Sequence, residues 1–437
     1  MKKLRCFLSL SCAAGVAIAA LRAADATPTR TPPRDVLAAT TDRVDALYRV
    51  GEPVTFTLRL EEKGKPAESG EIEWTLTKDG VAPTRTGRVK VERGQATITG
   101  TLDEPGFLQC RATFQSGSTK LTALAGAGIS PLELKPSAPA PDDFDAFWLA
   151  QKKALAAVPM NPRLTPVKSP RDGVVVFDMR ADCVGAPVSG YYARPVGAKP
   201  RSSPAILSVH GAGVGSSDLG SAVDGAKAGA LALDINAHGL PNGRDTAFYQ
   251  ALAAGELRDY RIKGRESRDT VYFRGMFLRL QRAMDFLAAQ PEWDGRTLVV
   301  AGSSQGGFQA IVAAGLDSRV SFFAAGVPAG CDHTGALVGR VAGWPKFIPT
   351  GSTPAPEVVD AVRYYDCVNF AARSKAPAIF TVGFIDTTCP PTSVYAAYNA
   401  VRGPKEIFND VSAGHTNTPE ARAAMKAAVL KHFAAQR

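Results

Sequence analysis

The stretch L298-V-V-A-G-S-S-Q-G-G-F-Q-A310 places two adjacent serines, Ser303 and Ser304, between glycines. An apolar run enters it and a helical pattern leaves it. A strand end needs only one turn residue, yet here small residues and glycines surround one central hydroxyl. Gly302-Ser303-Ser304-Gln305-Gly306 fits G-x-S-x-G directly after the strand-like "TLVVAG" and directly before the helix-like "QGGFQAIVAAG". That context is what a nucleophile elbow requires: a sharp strand-to-helix turn lifts the serine hydroxyl above the sheet. Side chains two residues before and after would collide with neighbouring backbone, which explains glycine at 302 and 306. Ser304 is the expected nucleophile and Ser303 its neighbour.

A serine hydroxyl needs a base to take its proton. The chain has five histidines, at 210, 238, 333, 415 and 432. The chain order in this fold is serine, acid, histidine, which leaves His333, His415 and His432. His432 falls in the closing amphipathic helix. His333 comes too early to leave room for an acid on a later strand. His415 lies in "DVSAGHTN", a loop between the strand "KEIFNDV" and the last helix, and is the expected base. The acid should end an intervening strand. "AIFTVGFIDTTCPP" ends such a strand at Asp386, while Asp366 and Asp410 are less well placed. An acid there would fix the histidine tautomer and stabilise the imidazolium. Two N–H donors are needed for the oxyanion: Gln305, directly after the nucleophile, and Ala212, in the glycine-rich loop of "AILSVHGAGVG". That loop lacks the Lys-Ser/Thr and the glycine spacing of a nucleotide cradle.

Apolar strands and helical stretches (268–290, 305–315, 391–401, 419–434) alternate from about residue 132 onward. The expected architecture is a mostly parallel sheet wrapped by helices, in strands apolar on both faces. Earlier in the chain the texture differs. Val54, Phe56, Leu58 and Leu60 alternate with polar residues, as do Ile72, Trp74 and Leu76. About seven such runs over roughly ninety residues predict a small immunoglobulin-like β-sandwich. Lys78-Asp79-Gly80 and Arg93-Gly94 supply turns. "LKPSAPAPDDFDAFW" closes that unit, and Asp142 or Asp143 is expected to cap the helix that follows. The expected divisions are residues 1–26, 27–131 and 132–437.

The opening "MKKLRCFLSLSCAAGVAIAALRAADA" has a basic start, an apolar stretch and small residues at its end. It reads as a signal peptide cleaved near Ala26, hence export. No other stretch could span a bilayer, so no stable membrane insertion is expected. Export makes disulfides possible, and Cys183, Cys331, Cys367 and Cys389 allow three pairings among themselves. The net charge of +10 is scattered, without basic runs interleaved with aromatics, which argues against nucleic acid. No Cys/His spacing suggests a metal site, and no organic cofactor is implied.

Four segments resemble one family: "PDDFDAFW" at the domain entry, "GSSQGG" at the elbow, "GFIDTTCPPTSVYAAYN" around Asp386 and "AGH" at His415. From about residue 135 to the end, the chain is similar to the acetyl xylan esterase and cephalosporin C deacetylase family of α/β-hydrolases. The resemblance implies removal of acetyl groups from acetylated oligo- or polysaccharides such as xylan by Ser304, Asp386 and His415, and allows a homo-oligomer. It also implies an oxyanion hole from Gln305 and the residue after His210-Gly211. The chain departs from the family at Ala212, usually aromatic. It also reads Asn236-Ala237-His238-Gly239 in place of Arg-Gly-Gln-Gly, and Thr416 in place of glutamate. His238 either lines the pocket or packs beneath the elbow. The other readings are a general carboxylesterase or peptidase on the same fold, and a glycan-binding protein without catalysis.

Overall fold

The computed structural model describes residues 34–436; the expected signal peptide lies outside them. Residues from Val36 to Ile129 form two sheets. One holds Val36–Thr41, Val54–Glu62, Lys65–Pro66 and Gln95–Gly100. The other holds Leu47–Tyr48, Glu71–Lys78, Val81–Lys90, Gly106–Ser116 and Thr119–Ile129. Val54, Phe56, Leu58 and Leu60 of the first sheet meet Ile72, Leu76, Cys110 and Ala112 of the second in one apolar core. The polar residues between them face outward, as the period of two dictates. Short pieces such as Leu47–Tyr48 and Lys65–Pro66 carry no legible alternation, so the unit contains more strands than the sequence pattern suggests.

The second unit is a nine-stranded sheet. Six strands run parallel in the order Leu231–Ile235, Ser203–Val209, Trp293–Ser303, Phe322–Gly326, Ala378–Gly383, Lys405–Asp410. Three antiparallel strands, Arg163–Val167, Val174–Ala181 and Val188–Pro195, extend the other edge. Residues of the central strand alternate between two cores. Leu298 and Val300 join the core under Phe273–Ala288 and Gln305–Leu316. Val299 and Ala301 join that under the last helix, Pro419–Ala435. Burial on both faces is why the run is apolar without alternation. Val174–Ala181 departs from that expectation. Its residues alternate between buried and half-buried, because it lies second from the sheet edge.

Two further details differ from the sequence reading. Asp143 occupies the cap position of helix Phe144–Ala156, but its carboxylate makes no capping bond. It accepts instead from Arg268 and from the Tyr364 hydroxyl. Cys110, Cys183, Cys331, Cys367 and Cys389 are all buried and free. Among the described residues, no helix is long and apolar enough to cross a membrane.

Candidate active site

The site gathers where parallel strands end. Ser304 follows Trp293–Ser303, the loop 210–213 follows Ser203–Val209, Asp386 follows Ala378–Gly383 and His415 follows Lys405–Asp410. Ligand sites form at this carboxyl edge because the strand-to-helix turns converge there.

Ser304 has φ 58° and ψ −119°, a conformation that costs a non-glycine residue about 1–3 kcal/mol. Three backbone bonds hold it. Its N–H donates to Gly326 at 2.8 Å, and its carbonyl accepts from Phe308 and Ala329, each at 3.0 Å. A Cβ at Gly302 would stand 2.3 Å from the Val209 carbonyl oxygen, and one at Gly306 would stand 2.2 Å from it. The turn therefore passes against the neighbouring strand, and only glycine fits at either position.

His415 Nδ1 lies 2.8 Å from Asp386 Oδ2, and His415 Nε2 lies 2.9 Å from Ser304 Oγ. A carboxylate only accepts, so the proton sits on Nδ1 and the Nε2 lone pair faces the serine hydroxyl. Asp386 is 1% exposed. Its other oxygen accepts N–H bonds from Thr388 at 2.8 Å and Cys389 at 2.9 Å. The turn-capping role that an aspartate before "CPP" suggests and the histidine-orienting role thus use different oxygens of one carboxylate. The Asp386 and His415 loops are also tied directly, Ile385 N–H to the Ala413 carbonyl at 3.2 Å.

Gln305 opens the helix Gln305–Leu316, so its N–H belongs to the first-turn groups that lack a helical acceptor. Its side chain is buried, and Oε1 accepts from the Tyr260 hydroxyl at 2.6 Å. The 210–213 loop runs beside Ser304. A Cβ on Gly211 would come within 3.8 Å of Ser304 Cβ, and Ala212 is exposed at the loop tip.

His238 makes no bond to the three central residues. Its Nε2 is 3.0 Å from the Gly213 carbonyl and its Nδ1 is 2.7 Å from the Tyr272 hydroxyl. A carbonyl cannot donate, so Nε2 carries the hydrogen and Nδ1 accepts from Tyr272. Burial pushes the pKa of this imidazole down to about 4, keeping it neutral. The residue braces the 210–213 loop, and it also borders a separate cavity with Val184, Leu257 and Tyr272. Of the other histidines, His432 bonds Ser321 and stacks on Phe322, away from the site. His333 is buried, and its backbone N–H donates to Asp366.

Two further residues complete the arrangement. Asn417, two positions after His415, donates from Nδ2 to Ser303 Oγ at 2.7 Å and accepts from the Thr381 hydroxyl. Tyr260 reaches Gln305 from a distant turn. Neither carries a motif; "HTN" offers only proximity to His415. One group among the described residues has three potential metal ligands, with Asp386, Cys389 and His415 atoms within 4.8 Å of one another. Asp386 and His415 already bond each other, and burial pushes the Cys389 thiol well above its usual pKa, disfavouring the thiolate a metal would need.

Comparison with known proteins identifies the family. The acetyl xylan esterase (AXE1) family profile matches residues 131–433. The chain is 33% identical over 392 residues to acetyl esterase Axe7A of Xylanibacter ruminicola, covering 87% of this chain and 86% of that protein. That coverage exceeds the span of the family profile, so the likeness reaches into the N-terminal β-unit. An acetyl xylan esterase from a Paenibacillus species superposes with a TM-score of 0.59 at 27% identity, covering 69% of this chain and 98% of the other. Acetyl xylan esterase 1 from a Thermoanaerobacterium species gives 0.60 at 23% identity, with the same coverages, and shares the fold. The chain is a serine carboxylic ester hydrolase with an α/β-hydrolase fold, and it belongs to the acetyl xylan esterase family.

Proposed function

We propose that the protein is an exported esterase that removes acetyl groups from acetylated oligo- or polysaccharides such as xylan, with Ser304, His415 and Asp386 as its catalytic triad. The observation that carries this is the continuous relay from Asp386 Oδ2 through His415 to Ser304 Oγ. His415 Nε2 takes the serine proton as Oγ attacks the acetyl carbonyl. The oxyanion forms against the N–H groups of Gln305 and Ala212, at the positive end of a helix. His415 then gives its proton to the departing sugar oxygen, leaving acetyl on Ser304. Water then attacks the acyl carbonyl as His415 takes its proton, and His415 returns a proton to Ser304 Oγ as the acyl–Oγ bond breaks and acetate leaves. Asp386 holds the ring and offsets its positive charge in both halves. We read the N-terminal β-unit as an immunoglobulin-like sandwich ending near residue 131, and the opening segment as a cleaved export signal.

Acetate release from a panel of acetylated xylan, acetylated pectin and monosaccharide peracetates tests the substrate class. Turnover of the xylan substrates supports the proposal. Hydrolysis of p-nitrophenyl esters with no release from any carbohydrate would make the protein a general carboxylesterase.

A further inference from the structure

The N-terminal β-unit packs on the loop that carries Asp386. Lys78-Asp79-Gly80 is a hairpin turn, where an aspartate is ordinarily exposed. Asp79 is instead 2% exposed. Its N–H donates to the Phe107 carbonyl at 2.7 Å, and its Oδ1 accepts from the Phe107 N–H at 3.0 Å. Oδ1 also accepts from the hydroxyl of Thr392, which lies in the first turn of helix Pro391–Ala400. That helix leaves the turn whose Thr388 and Cys389 N–H groups bind Asp386. Asp79 thus grips the exit of the acid's turn.

The entry is held as well. Phe107, fixed at both backbone groups by Asp79, turns its ring into the hydrolase core. It stands edge-on to Phe384 at 5.0 Å and lies 5.6 Å from Tyr395. Phe384 is two residues before Asp386. On the backbone side, a Cβ at Gly126 would stand 2.3 Å from the Phe384 carbonyl oxygen. Strand Thr119–Ile129 therefore lies directly against the segment that delivers the acid. Phe384 N–H in turn donates to Asp410, on the strand that leads to His415.

Asp79 carries an energetic burden that a surface turn would not. Its Oδ2 finds no hydrogen-bond partner among the described residues. Burial pushes its pKa up to about 7, against the Phe107 N–H bond and the nearby charges of Lys78 and Arg340, while Glu104 adds to the rise. A buried polar atom left unsatisfied loses its hydration with nothing in return. Such costs are found where function needs the group.

We infer that Asp79 is a positioning residue for catalysis, and that the N-terminal β-unit clamps the Asp386 turn from both sides through Thr392, Phe107 and Gly126. This rests on the reading of Asp386 as the triad acid. Small displacements of a reacting group are expensive, about 10²-fold for 1 Å, so loosening the clamp should be visible in turnover.

The test uses the full chain with p-nitrophenyl acetate. Asp79→Ala should lower kcat about tenfold or more with KM within about twofold, because the acid moves while the binding surface does not. Asp79→Asn keeps the acceptor for Thr392 and should restore most of the loss. In an Asp386→Asn background, Asp79→Ala should cost less than about twofold, since residues acting through one group are not additive. Thr392→Val cuts the same bond from the hydrolase side and serves where Asp79→Ala does not fold. Equal losses in the two backgrounds, or unchanged kcat in both Asp79→Ala and Thr392→Val, would overturn the clamp. Full activity of Asp386→Asn alone would instead overturn the triad assignment.

Discussion

Asn417 Nδ2 donates to Ser303 Oγ at 2.7 Å, while His415 Nε2 meets Ser304 Oγ at 2.9 Å. Two residues of one loop thus divide two adjacent serines between them. The Ser303 hydroxyl is committed to an amide and a structural task. The Ser304 hydroxyl faces an imidazole nitrogen whose lone pair is free to accept its proton.

That division gives the first prediction. Ser304→Ala should lower kcat for p-nitrophenyl acetate by up to roughly 10⁶, and adding His415→Ala should cost little more, because the group acts as a unit. Ser303→Ala should stay active, since it removes only an acceptor from Asn417. Initial-rate kinetics on the three variants decide it. An inactive Ser303→Ala beside an active Ser304→Ala would reverse the assignment.

A second prediction concerns the elbow glycines. At 2.2–2.3 Å from the Val209 carbonyl oxygen, an added methyl has nowhere to go, because the obstacle is backbone at the end of a central strand. Gly302→Ala and Gly306→Ala should each lower the melting temperature, with strain of about 1–3 kcal/mol or more, and should lose most activity through displacement of Ser304. Gly197→Ala provides a comparison, since nothing lies within 4 Å of its Cβ position; its cost is limited to the left-handed backbone. Thermal melts and turnover measured together separate a moved nucleophile from a merely weaker fold.

How much of this was readable in the sequence depends on whether the signal is local. The elbow is written within five residues and one strand. Asp386 and His415 follow from strand ends and chain order. Asn417 and Tyr260 act across 114 and 45 residues of sequence, and neither neighbourhood carries a periodic trace of that. Asp79 misleads more actively. "KDG" has the composition of a solvent-exposed turn, and nothing nearby says that Thr392 lies 313 positions away against it. The cysteines mislead in another way: spacing allowed pairings, yet each thiol is buried unpaired. His238 was legible only as one of two options, and its two hydrogen bonds make it a brace for the 210–213 loop that also borders a cavity.

The third prediction follows from that brace. Burial lowers the folded-state pKa of His238 to about 4 from an ordinary 6.5. Below pH 6.5 the unfolded chain takes up the proton first, so stability is fully present above 6.5 and drains away as pH falls toward 4. A fall from 6.5 to about 4 sets a ceiling of roughly 3 kcal/mol. Asp79, its pKa raised to about 7, has the opposite sign throughout this window, and buried His333 adds its own acid-side loss. The comparison must therefore be between variants. Denaturant unfolding at pH 7 and pH 4.5 should show a smaller loss for His238→Gln than for the parent chain. An identical loss would mean that this imidazole is not held neutral.

The last prediction concerns acyl size. An acetyl-selective site must close over a methyl group, and forcing extra methylenes into a closed site costs about 1–3 kcal/mol. If room existed, two extra methylenes would instead gain about 1.6 kcal/mol by burial. The two cases differ in sign, so the ratio of acetate to butyrate turnover reads the pocket directly. Ala212 stands where the family usually has an aromatic, which removes one wall. We expect Trp344 to supply another. Trp344 is bonded through its backbone to both Gly330, beside the residue that binds the Ser304 carbonyl, and Thr388, in the Asp386 turn. Its half-buried ring packs near Tyr260 and Phe273. We expect p-nitrophenyl acetate to exceed butyrate about tenfold or more in kcat/KM, about 1.4 kcal/mol at the barrier. Trp344→Ala should shrink that ratio toward unity by speeding butyrate rather than slowing acetate. A parent enzyme that prefers butyrate would show the pocket to be open and the substrate to be a larger ester. A preserved ratio in Trp344→Ala would place the wall elsewhere.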